Sequence, residues 1–318
     1  MFWIKLPGVS GIIFSENNMN RITKFLLAAV CAAGLQTAQA EGTEPPFDKL
    51  LKITLPELKA SDSETNAPPA GPVILEMIYV EPGTFMMGAP KEELGNNGQE
   101  PQRKVTLTQG YWLGKYEVTQ AQYEAVIGRN PSFFKGRNLP VEYANWNDAM
   151  RFCQKLTELE RAAGHITEDY EFTLPTEAQW EYACRAGTTT ALNNGKNLTS
   201  YYVCPNIEPL ARYGYSEKAY SGTQEVGLKE PNAWGFYDMH GNVWEWCRDY
   251  WQREDISTDP VTDPTGPAEG SERVMRGGSW WYPAASCRSA SRFYAVPNRF
   301  EYGYFLGFRA ALVRKTAK

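Results

Sequence analysis

The sequence predicts a domain in which strands come first, three helices follow, and the C-terminal half is largely irregular. Three observations predict it. The runs VILEMIYVEPGTFMMG and KVTLTQGYWLGKYEVT are strand-like. Three later segments carry helix-start signals. After residue 188 periodicity fades into Gly, Asn, Pro and Tyr, in a chain of 318 residues with 18 Tyr, 14 Phe and 10 Trp. So many large rings suit a fold that packs its loops around them.

Taken in order, Pro82-Gly83 breaks the first apolar run and reads as a hairpin turn. Thr119, with Gln122 three residues on, forms a capping box and starts the first helix. The second starts near Asn147. Its apolar face is Ala149, Phe152, Cys153, Leu156 and Leu159, and Gly164 stops it. The third follows Pro175 with the box Thr176–Gln179 and ends at Gly187. Trp180 and Cys184 share one face of it, so Cys153 and Cys184 read as core thiols.

The N-terminus reads as an export signal. After Met19 come a short basic segment, the apolar run FLLAAVCAAGL and AQA at residues 38 to 40, with cleavage expected after Ala40 and translation from Met19. The run is too short to span a bilayer. Val30 before Cys31 is not the small residue that lipidation needs. Residues 41–72, rich in Pro, Glu, Ser and Ala, read as a flexible linker, and residues 73–318 as the folded domain. The expected product is exported, periplasmic or extracellular, where thiols can oxidise.

A net charge of −5 gives no electrostatic reason to expect nucleic acid or an anionic membrane as partner. Two histidines, His165 and His240, leave almost no room for an imidazole metal site. Removal of Cys31 leaves five cysteines, so at least one is unpaired, and no CxxC occurs.

Nine motifs follow in order: GTFMMG (83–88), KYEVTQAQY (115–123), NPS (130–132), LPVEYANWNDA (139–149), LPTEAQWEYACRAGT (174–188), PNAWGFYDMHGNVWEWCRDY (231–250), RVMRGGSW (273–280), CRSASR (287–292) and LGFRAA (306–311). Together they resemble the formylglycine-generating enzyme, or sulfatase-modifying factor, family over about residues 75 to 314. The resemblance implies an α+β fold related to the C-type lectin fold, with little regular secondary structure. It also implies an oxidase that converts a cysteine in a CxPxR segment of a sulfatase to formylglycine, using oxygen and copper(I) held by two thiolates. Such a protein would act as a monomer on an exported protein or peptide.

Carried onto this chain, the family's calcium loop falls on Asp238, Gly241, Val243 and Glu245. Calcium takes several oxygen ligands, and a Gly-containing turn lets carbonyls face it beside carboxylates. The plainer alternative is a turn in which Glu245 pairs with an arginine such as Arg273. A second family calcium site would involve Asn206 and Ile207, but its other half does not match in RYGYSEKAYSGTQ. Ser279 corresponds to the family's active-site serine and Trp244 to a tryptophan lining that pocket.

The copper site departs from the family. Copper(I) prefers two thiolates, and Tyr282 stands where the first is needed. Cys287 is the one thiol between Ser279 and Gly307. Counted from the turn it reaches the second copper position; counted from RSASR it lies off the site. In the implied fold Cys247 packs near the same turn. A Cys247–Cys287 disulfide would close a loop of roughly 40 residues and contribute about 3–4 kcal/mol in a chain-entropy account. A buried free thiol and a reactive or metal-bound thiol are the alternatives, and Cys204 is the expected exposed odd thiol. Arg288 and Arg292 either anchor acidic groups of a partner or pin the loops through bidentate carboxylate pairs.

Two functions compete. One is the copper oxidase, which Tyr282 opposes. The other is a binding or maturation factor whose ligand pocket is built from Trp280, Trp281, Tyr282, Arg288 and Arg292, rigid aromatics set among small residues. A third, iron-dependent oxidoreductase chemistry, lacks the histidines.

Overall fold

Strand β2 (Ile74–Val80) shows why the chain starts as sheet. Leu75, Met77 and Val80 are buried, while Ile74 is exposed and Glu76 and Ile78 are half-buried. That near-alternation suits a pleated surface packed on one side. The computed structural model describes residues 45–56, 71–215, 221–253, 256–298 and 303–315. Residues Phe47–Lys318 form one compact unit, apart from Met1–Pro46. The export signal expected over 1–40 lies outside the described residues.

The linker expected over 41–72 needs correction. Leu50–Thr54 is strand β1, antiparallel to β2 with Leu50 opposite Ile78 and Thr54 opposite Ile74. Ile53 and Leu55 alternate into the core, and Phe47 meets Trp112 edge-on at 5.3 Å. The apolar residues of FDKLLKITL are what the Pro- and Ser-rich surroundings hid.

Pro82-Gly83 is a crossing between sheets rather than a hairpin. Strand β3 (Gly83–Met87) pairs with β4 (Arg103–Leu107), while β2 pairs with β5 (Tyr111–Gly114). The first sheet is completed by β6 (Tyr170–Thr173) and the last strand, β14 (Ala311–Arg314), in the order β1-β2-β5-β14-β6. The chain's end therefore returns to the middle of the sheet its beginning laid down.

Helix α1 (Gln120–Ile127) carries the expected capping box from Thr119, and α3 (Glu177–Arg185) carries the one from Thr176. Helix α2 (Trp146–Ala162) starts one residue before Asn147, capped by Asn145 with Asp148 as reciprocal partner. Ala149, Phe152, Cys153 and Leu156 are its buried face, and Cys184 is buried on α3. No helix among the described residues is long and apolar enough to cross a membrane.

Beyond α3 come the strands β7 (Ala211–Arg212), β8 (His240–Gly241), β9 (Trp244–Tyr250), β10 (Val261–Thr262), β11 (Arg273–Arg276), β12 (Arg292–Ala295) and β13 (Leu306–Gly307), with two short 3-10 turns at Ala284–Cys287 and Gly303–Phe305. Strands β12, β11, β9 and β13 form the sheet under the candidate site. The irregular stretch is not loosely held. Leu192, Leu198, Cys204, Ile207 and Tyr213 pack with Ala284, Ala285 and Cys287 in a core of their own.

Candidate functional site

Strand β11 ends in the turn Gly277–Gly278–Ser279, where both glycines have positive φ. A Cβ at Gly278 would collide with Cys287 Sγ, so glycine is required there. The turn is fixed from the calcium-loop side. The Gly241 amide donates to Gly277 O at 2.7 Å, and the Trp280 amide donates to Asn242 O at 2.9 Å. Ser279 is buried, and its Oγ accepts from the Trp281 amide at 3.4 Å.

The space around the turn is filled with rings. Tyr282 meets Trp244 edge-on at 5.5 Å, Phe305 at 5.5 Å and Phe293 at 6.1 Å. Trp280 is buried and gives its Nε1–H to Tyr304 O at 2.9 Å. The Trp244 Nε1–H is buried without a partner.

Trp281 is 46 % exposed. Tyr201, Tyr202 and Tyr215 are exposed too, with successive centroids 5.0 and 5.1 Å apart. The loops that carry them are stitched together: Ala284 and Ala285 amides donate to Tyr202 O and Tyr201 O, and Gly214 N donates to Tyr282 O at 2.7 Å. The loops that carry Trp281 and these tyrosines are thus joined through their backbones. The tyrosines in SYYVC and RYGYS were missed in the sequence because they lie some 70 residues from the turn, in a segment without periodicity.

Cys287 ends a short 3-10 helix, Ala284–Cys287, and is fully buried. Burial pushes its thiol up to about 12, so at neutral pH the enclosed thiol is protonated. The disulfide expectation is corrected: Cys247 and Cys287 are both free thiols. Cys247 packs with Trp180, Cys184 and Met239, while Cys287 packs with the irregular stretch. Each sulfur has its own apolar enclosure. Cys204, expected exposed, is buried as well.

Arg288 and Arg292 are drawn away from the aromatic pocket. Arg288 makes a two-pronged pair with Glu100 at 2.7 and 2.8 Å and also reaches Glu93 at 2.6 Å. Arg292 clamps Glu177 at 2.5 and 2.8 Å. Such forked pairs fix loop geometry, and they tie the GGSW region to residues 93–100 and to α3. Arg276 joins the same network through Glu181.

The loop predicted to hold calcium contains three residues with positive φ: Asp238 (56°), Gly241 (98°) and Asn242 (59°). Asp and Asn tolerate this region better than other side chains. Asp238 is buried; Oδ2 accepts from the Gly227 amide at 2.7 Å, and Oδ1 has no partner. Burial pushes its carboxyl up to about 6, against the pull of the Gly227 amide. Glu245 does not pair with Arg273, which instead lies over the Tyr250 and Trp146 rings. Its partner is Arg309 of the LGFRAA motif, at 2.6 Å to each oxygen, with the Trp180 Nε1–H donating to Oε2 at 2.7 Å. Among the described residues no three His, Cys, Asp or Glu side chains are arranged to hold a metal by themselves. An ion here would draw on side chains and backbone carbonyls together.

The sulfatase-modifying factor enzyme 1-like domain matches residues 63–314. The chain belongs to this family. Mouse formylglycine-generating enzyme is 27 % identical over 352 residues, covering 90 % of this chain and 86 % of that protein. The chaperone protein LppX of Paenibacillus barcinonensis is 30 % identical over 260 residues, covering 71 % of this chain and 84 % of the relative. Among solved structures, Treponema denticola variable protein 1 superposes with a TM-score of 0.65 at 31 % identity, covering 77 % of this chain and 97 % of that one. The α+β architecture is that of the sulfatase-modifying factor family, and the irregular C-terminal half goes with it.

Proposed function

We propose that this chain is an exported binding or maturation factor that holds a protein or peptide partner on the aromatic surface around Trp281, and that it does not carry out copper-dependent cysteine oxidation. One observation carries the reading. Tyr282, which stands where the family chemistry needs a thiolate, is packed among Trp244, Phe293 and Phe305. The remaining thiol, Cys287, is buried and protonated. Two soft ligands are needed for copper(I), and this arrangement supplies at most one thiol, enclosed in an apolar core. The exposed rings of Trp281, Tyr201, Tyr202 and Tyr215, on loops joined through their backbones, support the binding role, since rigid exposed rings lose little entropy on contact. The likeness to a relative named a chaperone supports it as well.

The oxidase reading keeps one support: relatives named formylglycine-generating enzyme reach 31 % identity over 80 % of this chain. A single experiment separates the two. Oxygen uptake and loss of peptide thiol are followed with a CxPxR peptide and copper(I). The binding reading expects neither. Turnover that disappears in Cys287→Ser would establish the oxidase.

Calcium belongs to this proposal as a structural ion. Asp238 and the carbonyls of Gly241 and Val243 would hold it, and the unpartnered Asp238 Oδ1 is the atom that fits best; Glu245, with both oxygens on Arg309, would have to give up part of that pair to join them. The ion would supply positive charge and oxygen coordination that fix the loop behind the Gly-Gly-Ser turn.

A further inference from the structure

The calcium loop is gripped from across the chain by a carboxylate outside its predicted ligand set. Glu117, between β5 and α1, is fully buried. Its Oε1 accepts from the Val243 amide at 3.0 Å and its Oε2 from Asn242 Nδ2 at 2.6 Å. Both oxygens are occupied by the loop, so Glu117 holds the backbone rather than the ion. It holds the 242–243 peptide unit and the Asn242 side chain, one peptide before the Val243 carbonyl, which is a predicted ligand. Asn242 passes the hold onward, since its own carbonyl accepts from the Trp280 amide at 2.9 Å.

The surroundings leave one oxygen of this cluster open. Glu117, Asp238 and Glu245 are all buried. Arg309, also buried, is hydrogen-bonded to both oxygens of Glu245, and Lys229 donates to Glu208 O. Asp238 Oδ1 has no partner, and a buried unpartnered oxygen is costly. It is the oxygen from which a divalent cation would be held beside the segment that Glu117 grips.

We infer that Glu117 is a positioning residue of the cation site: it sets the Asn242–Val243 backbone for the ion and couples ion binding to the Trp280–Tyr282 turn. The inference rests on the calcium reading above. Without Glu117 the segment that leads into the Val243 carbonyl would be unfixed.

The test is calcium titration of the full exported chain by calorimetry, with terbium luminescence as a second probe. Wild type is compared with Glu117→Gln and with Glu142→Gln, a buried carboxyl that no hydrogen bond joins to the loop. Glu117→Gln is expected to bind calcium at least tenfold more weakly, because its amide group would face the Asn242 Nδ2 donor instead of accepting from it, and terbium should weaken in step. Glu142→Gln should match wild type. Calcium binding by Glu117→Gln within twofold of wild type overturns the inference and leaves the calcium reading standing. Absence of binding by wild type overturns both. Should Glu117→Gln fail to fold, Glu117→Asp, which keeps the carboxyl but shortens the reach to Val243, is measured instead. A dissociation constant within twofold of wild type overturns the inference there too.

Discussion

His240 donates its Nδ1–H to the carbonyl of Cys287 at 2.6 Å and accepts at Nε2 from the Asn193 amide at 3.1 Å. A carbonyl can only accept and an amide N–H can only donate, so the neutral tautomer is fixed by its partners. Burial pulls the ring down to about 4, which keeps it uncharged at neutral pH. The one described histidine near Cys287 is therefore bonded to its backbone and is not a base for its sulfur.

The Cys287 thiol should accordingly be inert in the folded protein. Native protein treated with iodoacetamide at pH 8 is expected to leave Cys287 unmodified, and denatured protein to label it fully, as read by peptide mass spectrometry. Stoichiometric labelling of Cys287 before unfolding would contradict its burial. Cys287→Ser should lose about 1–3 kcal/mol, because the new hydroxyl must find a partner among apolar neighbours.

Tyr282 and Trp281 are adjacent but do different work. Tyr282→Ala removes edge contacts to Trp244 and Phe305 and, from a half-buried position, should cost about 2 kcal/mol, less than a fully buried aromatic. Trp281→Ala should change stability by no more than about 0.5 kcal/mol while abolishing partner capture. Denaturant melts of both variants, paired with a pull-down from exported proteins, check this. A Trp281→Ala protein that retains its partners would move the binding surface elsewhere.

Arg309 should be among the most sensitive positions. Arg309→Met leaves Glu245 buried beside Glu117 and Asp238 with its main counter-charge gone, and loss of one partner of a buried pair costs about 3–5 kcal/mol. Guanidinium unfolding of Arg309→Met against Arg129→Met is the measurement. Arg129 belongs to a pair that is largely exposed on its own side, so its variant should change little. Equal losses in the two would remove the special role of the buried pair.

The sequence disclosed local order well and long-range pairing poorly. Thr119, Thr176 and the apolar face of α2 are short-range signals, and the helices stand where those residues place them. The Pro82-Gly83 turn was misread because a hairpin and a sheet crossing share the same local chemistry; only the pairing of β3 with β4 tells them apart. Strand β1 was hidden by its Pro-rich flanks. At the site, the motifs located the Gly-Gly-Ser turn and the acidic loop. They did not reveal that Glu245 belongs to Arg309, that Glu117 holds Asn242, or that Tyr201 and Tyr202 lie beside the strand-end turn. Each of these joins residues more than 60 apart in a stretch without periodicity. The cysteines misled for a related reason: an odd count in a chain read as exported suggests pairing, whereas the fold buries the described cysteines as free thiols and puts Cys247 and Cys287 in different cores.

Asp249 gives the protein a pH signature. It is a buried residue of β9 that faces the start of α3, where its Oδ2 accepts from the Glu177 amide at 2.9 Å. Burial pushes its carboxyl up to about 7, and the nearby Glu177 carboxylate adds to the rise. Unfolded, an aspartate titrates near ~3.9. Between those values the folded state binds a proton that the unfolded chain does not. The stabilisation is thus complete below the unfolded value and is lost as pH rises through about 7. Asp249→Asn keeps an acceptor oxygen without the titration. Relative to this variant, wild type should lose stability progressively from pH 5 to pH 8, and melts of both proteins in matched buffers cancel every other titrating group. A difference that stays constant across that range would mean that Asp249 is already ionised at pH 5.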